Sequence, residues 1–116
     1  MTLDTQLSTR QVGNILFVDV AAANVDFRNA ETLKSTVSSL IHDASAPNVV
    51  LNLDKVGFMD SSGLSALLFC KRMCEEANGR FSLCSLQAYV FNLIKLTNLN
   101  KSVSVYNNEA DALAHQ

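Results

Sequence analysis

The sequence predicts an α/β fold: one domain over residues 1–116, with a mixed sheet of four to five strands, mostly parallel at its core, and about four helices. Three observations predict it. Segments rich in β-branched residues alternate along the chain with segments whose apolar residues recur at helical spacing, the pattern of a layered α/β structure. The run Val49-Val50-Leu51-Asn52-Leu53 is nearly continuous apolar, as expected of a central strand covered on both faces. A helical segment joins that run to the next extended one, Arg80 to Leu86, which reads as a right-handed crossover between parallel strands.

The elements follow in order. Leu3 to Arg10 alternates weakly and reads as an edge strand, and Gly13-Asn14 is a hairpin turn signal. Ile15 to Val20 is rich in residues that favour extended backbone. Ala21 to Asn29 is small and polar and reads as a loop. From Ala30 the period changes: Ala30, Leu33, Val37, Leu40, Ile41 and Ala44 share one helical face, while Lys34, Ser35, Ser38, Ser39 and His42 share the other. Asn29 is placed to be the N-cap of that helix. The loop Asp54 to Asp60 leads into a second helix, Ser61 to Ala77, closed by Asn78-Gly79, residues that tolerate a left-handed cap. After Arg80 to Leu86 come a short helix, Ala88 to Leu96, a strand, Val103 to Tyr106, and a C-terminal helix, Glu109 to His115.

Composition narrows the function classes. At 116 residues and 48% hydrophobic, the chain can build one core without a metal or disulfide. Nine basic against eleven acidic residues leave no electrostatic footprint for nucleic acid or an anionic membrane. No apolar run approaches the roughly 20 residues of a membrane span, and Met1-Thr2-Leu3-Asp4 lacks the features of a signal peptide, so a cytoplasmic protein is expected. Cys70, Cys74 and Cys84 read as reduced, buried thiols; Cys70 and Cys74 are one helical turn apart, but no paired ligand cluster accompanies them.

The sharpest local feature is Asp60-Ser61-Ser62-Gly63-Leu64, which opens a helix directly after a strand and loop. A serine there has a purely structural use, capping unpaired backbone N–H groups. The same geometry suits a phosphate, because a helix N-terminus offers free donors and partial positive charge. Phosphorylation of Ser61 would add about −1.5 to −2 charges, with Asp60 beside it as a like charge. Gly63 weakens the first turn by about 1 kcal/mol relative to alanine and permits close approach of another backbone. If the strands before the two loops are parallel, Asp26 and Ser61 lie on one edge, beyond the carboxyl ends of the strands.

The phrase Val49-Val50-Leu51-Asn52-Leu53, then Val56 and Phe58-Met59-Asp60-Ser61-Ser62-Gly63-Leu64, resembles the central signature of STAS domains of the anti-sigma-factor antagonist type. Asn24-Val25-Asp26 before Ala30-Glu31-Thr32-Leu33, and Phe91, Leu93, Ile94, Leu96 and Leu99 downstream, extend the resemblance over nearly the whole chain. It implies a partner-switching mechanism. The unphosphorylated protein would bind an anti-sigma factor that is also a serine kinase, freeing a sigma factor. That kinase would phosphorylate Ser61, and a PP2C-type phosphatase would reverse the modification. Asp26, Asp60, Ser62, Gly63 and Leu64 match positions implied in partner binding. The chain departs from the family at Ala23-Asn24, where glycine-glutamate is usual, at Ser65, and at Asn98, where glycine is usual.

Two other readings stand beside it. The same domain could serve as an adaptor subunit of another assembly, such as non-sigma signalling or a lipid-transport complex, and bind constitutively. A hydrolase would need a base near Ser61 or Ser62, and the chain offers only His42 and His115, in distant segments, with neither a Gly-x-Ser-x-Gly elbow nor a Walker-type loop. No enzyme activity, metal or cofactor is expected. The second helix carries more apolar surface than one stripe: Leu64, Leu67, Leu68 and Cys74, then Ala66, Cys70, Met73 and Ala77. It is covered either by the chain's own core or by a partner near Ser61.

Overall fold

In the computed structural model, residues 7–42, 44 and 47–115 are described. A five-stranded sheet runs in the order β1-β2-β4-β6-β7, formed by β1 (Leu7–Val12), β2 (Ile15–Val20), β4 (Asn48–Asn52), β6 (Arg80–Cys84) and β7 (Ser104–Tyr106). Only the β1–β2 pair is antiparallel, turned by Gly13 at φ +60°; β2–β4, β4–β6 and β6–β7 are parallel. Four helices accompany them among the described residues: α1 (Ala30–His42), α2 (Ser61–Glu76), α3 (Ala88–Leu96) and α4 (Glu109–Ala114). The mixed sheet, its parallel core and the helix count agree with the expectation. The edge strand runs to Val12 rather than ending at Arg10, and the expected start at Leu3 lies outside the described residues.

The two-residue period of the strands sorts side chains between the sheet faces. Val18, Val20, Val49, Leu51, Phe81 and Leu83 join α1 and α2 in the main core. Ile15, Phe17, Val50 and Cys84 point the other way, onto Ala112 of α4 and the half-buried Tyr106. Every residue of β4 is buried, as its near-continuous apolar run demands. The apolar excess of α2 is taken up inside the protein. Gly63, Ala66, Leu67, Cys70 and Cys74 are buried, and Leu64, Leu68 and Met73 pack against the same core. On α1 the buried stripe is Ala30, Leu33, Val37 and Ile41; Ala44 lies past the helix end and is exposed.

Polar ties hold α4 on its face of the sheet. Arg10 donates from Nε and Nη2 to Asp19 at 3.0 and 3.1 Å and also pairs with Glu109, which accepts from Asn52 Nδ2 at 2.6 Å. Three side chains thus link β1, β2 and β4 to the first residue of α4.

Several junctions depend on special backbone. Asn98, where the resemblance leads one to expect glycine, sits in the left-handed region at φ 60°, which asparagine tolerates better than most residues. Asn78, at φ 62°, ends α2 as expected, and Ser85, at φ 62°, stops β6 before Leu86. Beside Asn78, Gly79 fits against the chain leading into β4: a Cβ there would lie 1.9 Å from the Pro47 carbonyl oxygen, which already accepts from Arg80 N at 2.7 Å. By contrast, a Cβ on Gly13 would meet nothing within 4 Å. Gly79→Ala should therefore cost about 3 kcal/mol, because backbone must move, and Gly13→Ala only about 1 kcal/mol, the left-handed penalty. Urea unfolding midpoints at unchanged m-value check the difference.

Candidate docking and modification site

The segments Ala21–Asn29 and Asp54–Asp60, expected to be plain loops, each contain a two-residue strand. β3 (Asn24–Val25) and β5 (Phe58–Met59) pair in parallel, Asn24 opposite Phe58 and Val25 opposite Met59. The Ala23 carbonyl accepts from Gly57 N and Phe58 N at 2.9 and 3.3 Å, and the Val25 carbonyl from Asp60 N at 3.3 Å. A two-residue ladder falls below the length at which alternation can be read from sequence. It fastens the two loops together and brings Asp26 and Ser61 to one edge, as the topology requires.

Asp60 completes the junction. Its Oδ1 accepts from Gly63 N at 3.1 Å, making it the N-cap of α2, and its Oδ2 accepts from Phe27 N at 3.1 Å across the gap between the loops. Capping was assigned to the serines as their structural use; the structure moves that role one residue earlier. A carboxylate suits it, since it accepts two N–H bonds at once and sits at the positive end of the helix. Ser61 is left at the first helical position, exposed, and its hydroxyl takes no hydrogen bond among the described residues. Ser62 and Leu64 are half-buried and Gly63 is buried.

Gly63 is where the two loops and α2 come closest. A Cβ there would lie 2.5 Å from the Val25 carbonyl oxygen and 2.5 Å from Met59 Cγ. The glycine costs helix propensity and in return allows the β3 backbone to rest on the first turn of α2.

Asp26 is buried, 5% exposed. Its Oδ1 accepts from Arg28 N and Nε at 3.0 and 3.2 Å, and its Oδ2 from Arg28 Nη2 at 2.7 Å. The Arg28 guanidinium holds the Asp26 carboxyl below the usual carboxylate range. Arg28 was not singled out in the sequence; an Asp-x-Arg spacing is short and common, and only the fold shows that the arginine turns back. Asn29 also departs from expectation. Its side chain accepts from Asp26 N at 3.0 Å and donates to the Asn24 carbonyl at 2.9 Å, so it braces the β3 turn instead of capping α1. The amides of Asn29 and Ala30 are met by the Asp26 carbonyl.

Exposed aromatic side chains flank this edge. Phe27 is 74% exposed, and Phe58 stacks on Tyr89 of α3 with ring centroids 5.6 Å apart. Large exposed aromatics grouped on one edge are a feature of protein-docking surfaces. The residue types for hydrolysis are elsewhere. His42 ends α1, about 18 Å along the helix from its start beside Asp26, and His115 stacks on Tyr106 beyond α4. Burial pushes the thiols up, to about 12 for Cys70 and about 11 for Cys74 and Cys84, far from a reactive thiolate.

The division of labour between neighbours is measurable. Asp60→Ala removes the cap and the bridge to Phe27 and should destabilise the fold by about 1–2 kcal/mol. Ser61→Ala should change stability by less than about 0.5 kcal/mol, as for a surface residue without a bond. Gly63→Ala should destabilise by about 1–3 kcal/mol despite alanine's better helix propensity. Chemical unfolding of the three variants decides; a Ser61→Ala loss equal to that of Asp60→Ala would return the capping role to the serine.

The STAS domain family model matches residues 6–112. The anti-sigma F factor antagonist of Paenibacillus polymyxa is 24% identical over 111 residues, covering 96% of this chain and 94% of that protein. An anti-sigma-factor antagonist (STAS) domain protein from Planctomyces limnophilus superposes with a TM-score of 0.85 at 20% identity, over 94% of this chain and 96% of that one. An anti-sigma factor antagonist from Mycobacterium paratuberculosis gives 0.82 at 24% identity, over 94% and 91%. These structural matches speak for the fold. Since the family model extends from the edge strand into the C-terminal helix, this protein belongs to the STAS domain family.

Proposed function

We propose that this protein is an anti-sigma-factor antagonist whose docking is switched by phosphorylation of Ser61. In its unmodified form it binds an anti-sigma factor that is also a serine kinase, and a sigma factor is freed. The Ser61 oxygen then attacks the γ-phosphorus of ATP held by that kinase. The new O–P bond forms as the bond to ADP breaks, and the hydroxyl proton passes to a base of the kinase. A PP2C-type phosphatase hydrolyses the ester and resets the protein.

One observation carries this reading: the Ser61 hydroxyl is exposed and, among the described residues, unbonded at the start of α2, because Asp60 meets the capping need. A serine with no structural duty is free to be modified without unfolding the helix. It stands next to Asp60, within one hydrogen bond of the loop that bears Phe27, so a partner seated on the aromatic edge would cover it. Asp26, Ser62 and Leu64 would lie beneath or beside that partner, with Asp60 and Gly63 holding the shape of the surface. A phosphate trapped there would be desolvated beside the Asp60 carboxylate, a cost of several kcal/mol. At 1.4 kcal/mol per factor of ten, that suffices to dissolve a tight complex. The names borne by the relatives support the antagonist part of this reading.

Incubation with ATP and the cognate kinase, followed by mapping of the phosphate by mass spectrometry, tests the proposal. The expected result is a single phosphate on Ser61, with the anti-sigma factor bound at least 100-fold more weakly by Ser61→Asp than by Ser61→Ala. Equal binding by the two variants would instead favour a constitutive adaptor of another assembly.

A further inference from the structure

Arg28 holds Asp26 with a two-pronged contact, but the two side chains are unequally placed. The Asp26 side chain is 7% exposed and the Arg28 side chain 65% exposed. A guanidinium carries five N–H donors. Asp26 engages the one on Nε and one on Nη2, so the pair on Nη1 and the second on Nη2 have no partner among the described residues. The cation is thus anchored on one side and open on the other.

The ladder sets the chain segment that carries Arg28 beside the one that carries Ser61. Val25 pairs with Met59, and the residues that follow are Asp26 and Asp60, with Asp60 N donating back to the Val25 carbonyl at 3.3 Å. From there one chain runs through Phe27 to Arg28, and the other takes a single step to Ser61. Phe27 N on Asp60 Oδ2 keeps the two together beyond the last ladder pair. The field of Asp60 reaches the guanidinium and, with the Asp26 contact, strengthens its hold on its proton. Asp26 and Asp60 would repel a phosphate on this edge, and Arg28 is the cation the structure fixes beside them.

We propose that Arg28 is the internal receptor for a phosphoryl group on Ser61, its guanidinium turning from the Asp26 carboxylate to the phosphate oxygens. This rests on Ser61 being the modified residue. A phosphate offers more negative charge than a carboxylate and the same two-pronged geometry, which offsets the loss of the two guanidinium bonds to Asp26. The exchange makes the switch larger than one phosphate. Before modification the edge presents a neutralised Asp26–Arg28 pair; afterwards it presents the phosphate, partly screened, and an Asp26 carboxylate without its partner. Both changes oppose a partner that docks on the unmodified edge.

The test needs no kinase. Phosphoserine is installed at position 61 during translation, and ³¹P NMR follows its second ionisation, ordinarily near pH 6. In the otherwise native chain this pKa should be lower than in Arg28→Gln by about half a unit at low salt, with the gap closing as salt rises. The Arg28 Nε–H resonance should shift with the same midpoint as the phosphorus signal, and Arg28→Lys, which keeps the charge but not the fork, should give an intermediate pKa. Equal pKa values in the native chain and Arg28→Gln, or an Arg28 resonance indifferent to the phosphate, would overturn the receptor role and leave the switch standing. A kinase that modifies another residue would overturn the switch without touching this measurement.

Discussion

The site depends on one close approach: the Val25 carbonyl resting on the first turn of α2, at the spot where Gly63 has no side chain. A Cβ there would push the β3 backbone away from the helix and, with it, the two-residue ladder to β5. Without that ladder, Phe27 N would lose Asp60, and the loop bearing Asp26 and Arg28 would no longer be registered against Ser61. A single missing methyl group therefore sets the distance between the two segments on which the functional reading rests. The helix gives up about 1 kcal/mol of propensity for this.

Around that contact, neighbouring residues divide tasks that could have fallen to one. Asp60 satisfies an orphan donor of α2 and bridges to the opposite loop, so Ser61 is relieved of both duties. Asn29 braces the β3 turn, so the Asp26 carboxylate is free for Arg28. The outcome is a rigid frame carrying one exposed hydroxyl and one exposed cation. Rigidity matters for a charge switch, because a phosphate on a mobile loop could swing away from a partner at small entropic cost, whereas one on the first turn of a packed helix cannot.

The rest of the molecule supports this edge from behind. α2 is buried along Ala66, Leu67, Cys70 and Cys74, so its N-terminus cannot move without disturbing the main core. On the opposite face of the sheet, α4 covers Ile15, Phe17 and Val50 and is tied to three strands through Arg10, Asp19, Glu109 and Asn52. With that face closed by α4, the protein still exposes Phe27, Phe58 and Tyr89.

Much of this was legible in the residues. All five strands of the main sheet and all four helices were placed, β1 by weak alternation, β2 by its β-favouring residues, β4 by its continuous apolar run, and α1 by its helical period, since burial on two faces or along one stripe leaves those marks whatever the partners are. α3 was bounded at Ala88 and Leu96 from apolar spacing alone, and the glycine after Asp60-Ser61-Ser62 pointed to a close backbone approach. What escaped were contacts between segments distant in sequence and too short to carry a period. The β3–β5 ladder spans two residues on each side, and the Asp60 bridge to Phe27 joins positions 33 apart. Which of Asp60 and Ser61 caps α2 was equally out of reach, because both residue types cap helices and the choice turns on the dihedral angles of one residue. Local periodicity records only which side of a segment is buried. Its neighbours, and the directions its polar atoms face, are set when distant segments meet.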